Sequence, residues 1–89
     1  MSVDLLMAEA VLGRDAEQFL NSDIGRYVLG RCEQEITEAA ELLSVVSPWR
    51  RNRIRQLQNE IWRAQSVRAW IAELVTAGRQ AEQVLQEDD

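Results

Sequence analysis

The sequence contains no histidine and no lysine, and it has one cysteine and one proline among its 89 residues. Without histidine there is no His-based general base, no Ser-His-Asp or Cys-His catalytic set, and no ordinary zinc or haem site. One cysteine excludes an internal disulfide framework and a thiolate metal cluster. Phosphate-binding loops and nucleophile elbows are also missing. We therefore expect no catalytic residues, no metal ligands and no cofactor, and a protein that is not an enzyme.

The hydrophobic fraction of 46% and the charged fraction of 28% are typical of a folded globular chain. A chain of this length forms one domain at most, and its core is small. No apolar run approaches the ~20 residues that cross a bilayer. The first residues lack the basic start of a secretory signal. These features predict one soluble, intracellular domain without membrane contact.

Helical periodicity extends over nearly the whole chain. One or two short helices are predicted within residues 1–21, and Gly13 suits the C-terminal end of the first. A long amphipathic helix is predicted over 22–46, because its apolar residues recur at spacings of three and four. Ser22 is placed to cap the N-terminus of that helix. No internal repeat, low-complexity run or linker is expected.

The pair Ser47-Pro48 predicts the sharpest break in the chain. Proline cannot continue a helix but fits the first turn of a new one, and serine is a good cap before it. A second long helix is therefore predicted over 48–77, folded back on the first. Residues 78–89 are expected to form a C-terminal turn and a frayed acidic tail. The predicted fold is all-α, a long antiparallel helical hairpin with one or two short N-terminal helices.

Two long helices bury little apolar surface between them, and small domains without disulfides or metals often oligomerise. We therefore expect the chain to pack as an oligomeric helical bundle, with a homodimer favoured. The alternative is a monomer, in which the N-terminal helix alone completes a three-helix bundle.

The positive charge of the chain is concentrated in one segment. All ten basic residues are arginines, and the formal net charge of the whole chain is -5. Residues 50–70 nevertheless contain six arginines against Glu60 alone. The overall charge therefore does not exclude an anionic partner for that segment.

Charges near the hairpin turn oppose the helix dipoles. Glu38 and Glu41 lie late in the first long helix, and arginines open the second. If the hairpin folds at Ser47, Glu41 lies near Arg53. Glu38 then lies near Arg55. We predict an ion pair at each place, which sets the alignment of the hairpin more than its stability.

The arginines and the nearby tryptophans form a candidate partner-binding segment. Arginine with aromatic residues often holds RNA and single-stranded nucleic acid, and both types are enriched at protein hot spots. The candidate residues are Trp49, Arg50, Arg51, Arg53, Arg55, Trp62, Arg63, Arg68 and Trp70. The alternative is structural: the arginines are solvated, Trp62 and Trp70 widen a core face, and Trp49 covers the turn.

Cys32 lies on the apolar stripe of the first long helix, which indicates a buried, unreactive thiol. A catalytic thiolate would need a nearby base, and the chain has no histidine. The neighbouring glutamates are expected to form a solvated acidic face rather than a metal site. They are Glu33, Glu35, Glu38 and Glu41.

Two segments carry a resemblance to known proteins. They are SPWRRNRIRQLQNEIWRAQSVRAWIAELVTAG, from Ser47 to Gly78, and GRDAEQFLNSDIGRYVLGR, from Gly13 to Arg31. Together they resemble small uncharacterised helical proteins of tailed bacteriophages and prophages. The resemblance implies a phage-encoded accessory or structural component, located in the cytoplasm of the bacterial host or in the virion. It implies no catalytic residues.

These observations favour a non-enzymatic helical interaction protein that acts through helix-face packing on a second copy or on a phage or host protein. The alternative function is a small nucleic-acid-binding regulator that uses the segment from Arg50 to Arg68. The acidic balance argues against duplex DNA as a partner of the whole surface. An enzyme would have to rely on carboxylates and arginines alone.

Overall fold

The computed structural model describes residues 2–87, and its fold consists of three α-helices. They are α1 (Val3–Asn21), α2 (Asp23–Val45) and α3 (Arg51–Glu87). No strand occurs among the described residues. The prediction of an all-α chain is therefore confirmed.

Helix α1 is longer than the sequence suggested. The hydroxyl of Ser2 caps it by accepting a hydrogen bond from the N–H of Leu5 at 3.1 Å. The helix continues through Gly13, where we predicted an end, and stops at Asn21. Gly13 is buried and its φ is not positive, so it is not a left-handed helix cap.

Ser22 alone separates α1 from α2. Its hydroxyl donates to the carbonyl of Phe19 at 2.6 Å and accepts from the N–H of Gly25 at 3.0 Å. It therefore closes one helix and caps the next, as predicted. A side chain at Gly25 would overlap the carbonyl of Phe19, which explains a glycine in the first turn of α2 despite its cost in a helix.

Residues 46–50 connect α2 to α3. We predicted that the second long helix starts at Pro48, but Pro48 and Trp49 form a turn. The N–H of Arg50 bonds to the carbonyl of Ser47 at 3.0 Å within it. The carbonyl of Arg50 then accepts a hydrogen bond from the N–H of Ile54, and α3 begins at Arg51.

Helix α3 contains 37 residues and runs to Glu87, about 55 Å at ~1.5 Å per residue. We predicted an end at Ala77, followed by a turn and a frayed tail over residues 78–89. Gly78 instead lies inside the helix, buried and without a positive φ. Fraying was predicted from Glu87 onward, but Glu87 is the last residue of α3, and the final two residues fall outside the described part of the chain.

The chain divides into two compact units, where the sequence predicted one domain. The first unit contains the residues up to Arg26 and those from Ala69 onward, so it joins α1 to the C-terminal half of α3. The second unit is Tyr27–Arg68, with most of α2 and the first half of α3. Each unit has buried side chains of its own.

Alanine is the most frequent buried hydrophobic residue in both units. The buried hydrophobic residues are Leu6, Ala10, Ala16 and Ala81 in the first unit and Cys32, Ala39, Leu57 and Ala64 in the second. Leu57 is the one large side chain among residues 2–87 that is fully buried. Because alanine contributes a single methyl group, this core removes little apolar area from water.

The first unit contains an internal repeat, so our expectation of none was wrong. Residues 13–20 read GRDAEQFL and residues 78–85 read GRQAEQVL, identical at six of eight positions. The two copies meet at their glycines. A Cβ atom built on either Gly13 or Gly78 would lie 2.6 Å from the Cα of the other. Both helices continue through glycine because only a residue without a Cβ allows the two backbones to come this close.

Two reciprocal ion pairs lie beside this glycine contact. The Nε of Arg14 donates to Glu82 at 2.5 Å, and the Nε of Arg79 donates to Glu17 at 2.7 Å. Each pair joins the arginine of one repeat to the glutamate of the other. The two repeats therefore run in opposite directions and are related by an approximate two-fold rotation.

Candidate functional site

The turn between α2 and α3 exposes the most accessible tryptophan of the described chain. Trp49 is 90% exposed, so the interpretation that it covers the turn is wrong. It lines an open depression together with Arg50, Arg51 and Arg53. This end of the second unit presents an indole and several guanidinium groups to solvent.

Trp62 and Trp70 are also largely exposed, at 67% and 61%. Neither widens a core face, because more than half of each side chain is accessible to solvent. Indole surface in water is unfavourable, and tryptophan is the residue type most enriched at interface hot spots. The structural alternative for these two side chains is therefore wrong.

The arginines differ in whether an acid neutralises them. Within residues 2–87, ion pairs involve Arg14, Arg31 and Arg79. The six arginines from position 50 to position 68 form none with the described acids. Arg53 donates instead to the side-chain carbonyl of Gln56, at 3.1 Å. The positive charge of this segment is left for solvent or a partner.

The two ion pairs predicted near the hairpin turn are not formed. Glu38 accepts a hydrogen bond from Gln34, one turn earlier on its own helix, at 2.9 Å. Arg53 bonds within its own helix, and neither Glu41 nor Arg55 takes part in an ion pair between described residues. Exposed pairs contribute only about 0–1 kcal/mol, so contacts inside one helix compete with them successfully.

Part of the candidate segment forms a line along α3. Arg51, Arg55 and Trp62 are separated by four and seven residues and all three are exposed. At ~100° per residue they lie on one side of the helix. We call these three residues the Arg–Trp stripe. The exposed side chains between them include asparagines and glutamines but no acid, since Glu60 is half-buried.

Cys32 is buried, as predicted. Nowhere in residues 2–87 do three or more side chains of the metal-ligating types come together. The glutamates around Cys32 are mostly exposed, and one of them, Glu35, pairs with Arg31 on the same helix.

Large apolar side chains are exposed on all three helices. Fourteen are exposed within residues 2–87, whereas the two buried leucines are the only large hydrophobics among the buried ones. Isolated exposed hydrophobics are ordinary on protein surfaces. Their grouping on one side of a helix pair is not, and it marks contact surfaces.

Five of these exposed large hydrophobic side chains lie on one side of the first unit. Leu5 and Leu12 are seven residues apart on α1, and Trp70, Leu74 and Val84 follow each other at helical spacing on α3. Leu5 and Trp70 are equivalent under the two-fold rotation, because each lies eight residues before the glycine of its repeat. The axis is perpendicular to the plane of the two antiparallel helices, so equivalent residues share a side. We call these five residues the apolar face.

The repeat and the apolar face are the features that sequence reasoning missed. The signal was present, because a Gly-Arg-x-Ala-Glu-Gln segment occurs twice at a separation of 65 residues. Two helices that carry the same small and oppositely charged residues at the same spacing can pair antiparallel. Each glycine was instead interpreted alone, as a helix end.

None of the helices in residues 2–87 has the length and hydropathy needed to cross a membrane. No protein-family model, curated protein or solved structure matches the chain. The residues and contacts described above are therefore the basis on which a function is proposed.

Proposed function

We propose that the protein is a non-enzymatic helical interaction protein that packs exposed helix faces against a partner, with a second copy of itself as the first partner. The supporting observation is the contrast between an alanine-dominated core and fourteen exposed large hydrophobics among the described residues. Burying one leucine or valine side chain is worth about 1.5–3 kcal/mol. A partner that covers even a few of these side chains therefore adds stabilisation on the scale of a whole domain's stability.

We further infer that α2 and the first half of α3 form an antiparallel hairpin, and that two chains build an oligomeric helical bundle. The short connection over residues 46–50 supports the hairpin. The buried residues also support it, because Cys32 and Ala39 are seven apart and so are Leu57 and Ala64. A seven-residue spacing on both helices is typical of positions that face each other in a helical pair.

The proposed setting is a phage-encoded accessory or assembly component, in the cytoplasm of the bacterial host or in the virion. The support is the resemblance of the segments Gly13 to Arg31 and Ser47 to Gly78 to helical phage proteins. The identity of the genes adjacent to the gene that encodes this chain tests the proposed setting. Adjacent portal or terminase genes would agree with assembly, whereas adjacent regulatory genes would contradict it.

Sedimentation velocity over a range of concentrations tests the interaction function. The measured mass of the wild-type protein should rise from that of one chain to that of two as its concentration increases. The control is the helical circular dichroism signal, which shows that the chain is folded at the lowest concentration. A folded chain that keeps the mass of a monomer up to millimolar concentration would contradict the proposal.

A small nucleic-acid-binding regulator is the second candidate function. It is favoured by one observation, the Arg–Trp stripe, whose arginines have no acidic partner among the described residues. Guanidinium groups neutralise phosphates, and an exposed indole stacks on unpaired bases.

A gel shift with single-stranded RNA and DNA at increasing salt separates the two functions. If the second candidate holds, the wild-type chain binds at low salt, affinity falls steeply as salt rises, and Arg51→Glu with Arg55→Glu removes binding. Arg26→Glu is the matched control, since Arg26 is exposed on α2 and has no ion pair with a described acid. Absence of binding at the lowest salt would eliminate this candidate.

A further inference from the structure

The apolar face is bordered by carboxylates. Glu9 lies on α1 between the two leucines of the face, and Glu73 lies on α3 directly before Leu74. Neither glutamate forms an ion pair with a described arginine. The repeat's arginines, Arg14 and Arg79, are engaged by Glu82 and Glu17 toward the other side of the helix pair. The face is therefore apolar and negatively charged.

The Arg–Trp stripe has the complementary character. Trp62 is exposed, and the guanidinium groups of Arg51 and Arg55 have no ion pair with a described acid. The stripe is therefore apolar and positively charged. It lies along one helix, whereas the apolar face spans two neighbouring antiparallel helices. A single amphipathic helix laid against a pair of helices is a recurrent mode of recognition.

We propose that the apolar face of one copy binds the Arg–Trp stripe of a second copy. This inference rests on the proposed function and names the surfaces through which the chain recognises itself. Each copy offers one face and one stripe, and the proposed dimer is the two-fold one in which the contact forms twice. That reciprocity is the defining property of an isologous interface.

Charge decides between this pairing and its alternatives. If two apolar faces met, Glu9 and Glu73 of one copy would approach the same glutamates of the other. If two stripes met, four guanidinium groups would share one contact. Like charges brought together at an interface cost several kcal/mol, and opposite charges guide the approach of the partner. The face-to-stripe pairing is the one that places opposite charges together.

Two variants that each block one surface test the proposal. The stripe variant carries Arg51→Glu and Arg55→Glu, and the face variant carries Leu12→Gln and Glu73→Arg. All four positions are exposed, so the fold should persist. In sedimentation velocity, the wild type should dimerise, and the association constant of each variant alone should fall at least tenfold.

An equal mixture of the two variants should recover association. The carboxylates introduced into the stripe variant then meet the guanidinium group introduced into the face variant. The second contact of the same dimer joins the unaltered face of the stripe variant to the unaltered stripe of the face variant. Opposite charges therefore lie together at both contacts, which neither variant achieves with a second copy of itself.

Matched controls lie at comparable positions off the two surfaces. Val11→Gln changes an exposed side chain next to Leu12 that points away from the face, and Arg26→Glu reverses an exposed arginine of α2. Both should dimerise like the wild type. If the face variant loses its helical circular dichroism signal, Glu73→Arg alone replaces it in the mixture.

The outcomes separate this proposal from the more general one. If the wild type dimerises but the mixture stays monomeric, or if either variant dimerises as tightly as the wild type, the face-to-stripe contact is overturned while the interaction function stands. If the folded wild type is monomeric at all concentrations, both proposals fail. Recovery in the mixture, with unchanged controls, supports the contact.

Discussion

The two compact units hold their helices together by different means. In the first unit, Gly13 and Gly78 bring two backbones into contact beside a pair of symmetric ion pairs. In the second unit, one fully buried leucine, Leu57, lies among small buried residues, and no described ion pair joins α2 to α3. The first unit should therefore tolerate no added atoms at its contact, whereas the second should tolerate no removed atoms.

Removing volume from the second unit should have the largest effect. Leu57→Ala leaves a cavity in a core that has no other fully buried large side chain, and it should cost about 2–5 kcal/mol of unfolding free energy. Urea unfolding at one fixed protein concentration measures this. Leu42→Ala is the matched control, because Leu42 is exposed on α2, and it should cost less than about 1 kcal/mol. Equal losses for the two would contradict a core centred on Leu57.

The second-largest effect is expected when volume is added to the first unit. In Gly13→Ala the new methyl group meets backbone atoms of Gly78 and the carbonyl of Leu74, which cannot rotate away. The helices must separate, at about 1–3 kcal/mol of unfolding free energy. Gly78→Ala should cost a similar amount, because its methyl group meets the equivalent atoms of α1. Clearly unequal costs would show that the two repeats are not related by a two-fold rotation.

Substitution of a third glycine should change the unfolding free energy in the opposite direction. Gly30 lies in α2, and apart from its chain neighbours and the nearby backbone of its own helix, no atom lies within 4 Å of a Cβ built on it. Gly30→Ala should therefore raise the unfolding free energy by up to about 1 kcal/mol, through helix propensity alone. The same urea experiment measures it. A loss of stability at Gly30 would show that α2 has a contact there that the structure lacks.

The ion pairs should have the smallest effect. Arg14→Glu and Glu82→Arg should each cost about 0–1 kcal/mol, and the double substitution should restore part of the loss, because the pair is exposed to solvent. A double-mutant cycle measures the coupling. The comparison cycle in the second unit, Glu41→Arg with Arg53→Glu, should show none. If the coupling between Glu41 and Arg53 equalled that in the first unit, these two residues would form the ion pair that the sequence predicted.

Local signals were sufficient for α2 and insufficient for α1 and α3. Helix α2 was predicted over 22–46 and found at Asp23–Val45, because the Ser22 cap and the Ser47-Pro48 pair act on neighbouring residues. Gly13 and Gly78 were interpreted as helix ends. A glycine can end a helix or permit a close approach, and the residues next to it do not distinguish the two. The internal repeat does distinguish a close approach from a helix end, because it pairs Gly13 with Gly78.

The candidate site was predicted in composition but not in arrangement. The sequence identified the tryptophans and arginines, and Trp49, Trp62 and Trp70 are exposed. The predicted pairs of Glu41 with Arg53 and Glu38 with Arg55 did not form, because energies near zero leave the choice of rotamer to local contacts. The apolar face could not be found from one helix alone, since it exists only where two helices lie side by side.

The most direct test of the central claim uses the tryptophans themselves. All three are exposed in the single chain, and two of them belong to the surfaces proposed to meet. Their fluorescence emission should shift to shorter wavelength as the concentration of the wild type rises, in step with the doubling of mass in sedimentation. A Trp49→Phe variant, which keeps the two interface tryptophans, should show the same shift. A mass that doubles with no change in emission, or a mass that never doubles, would contradict the account.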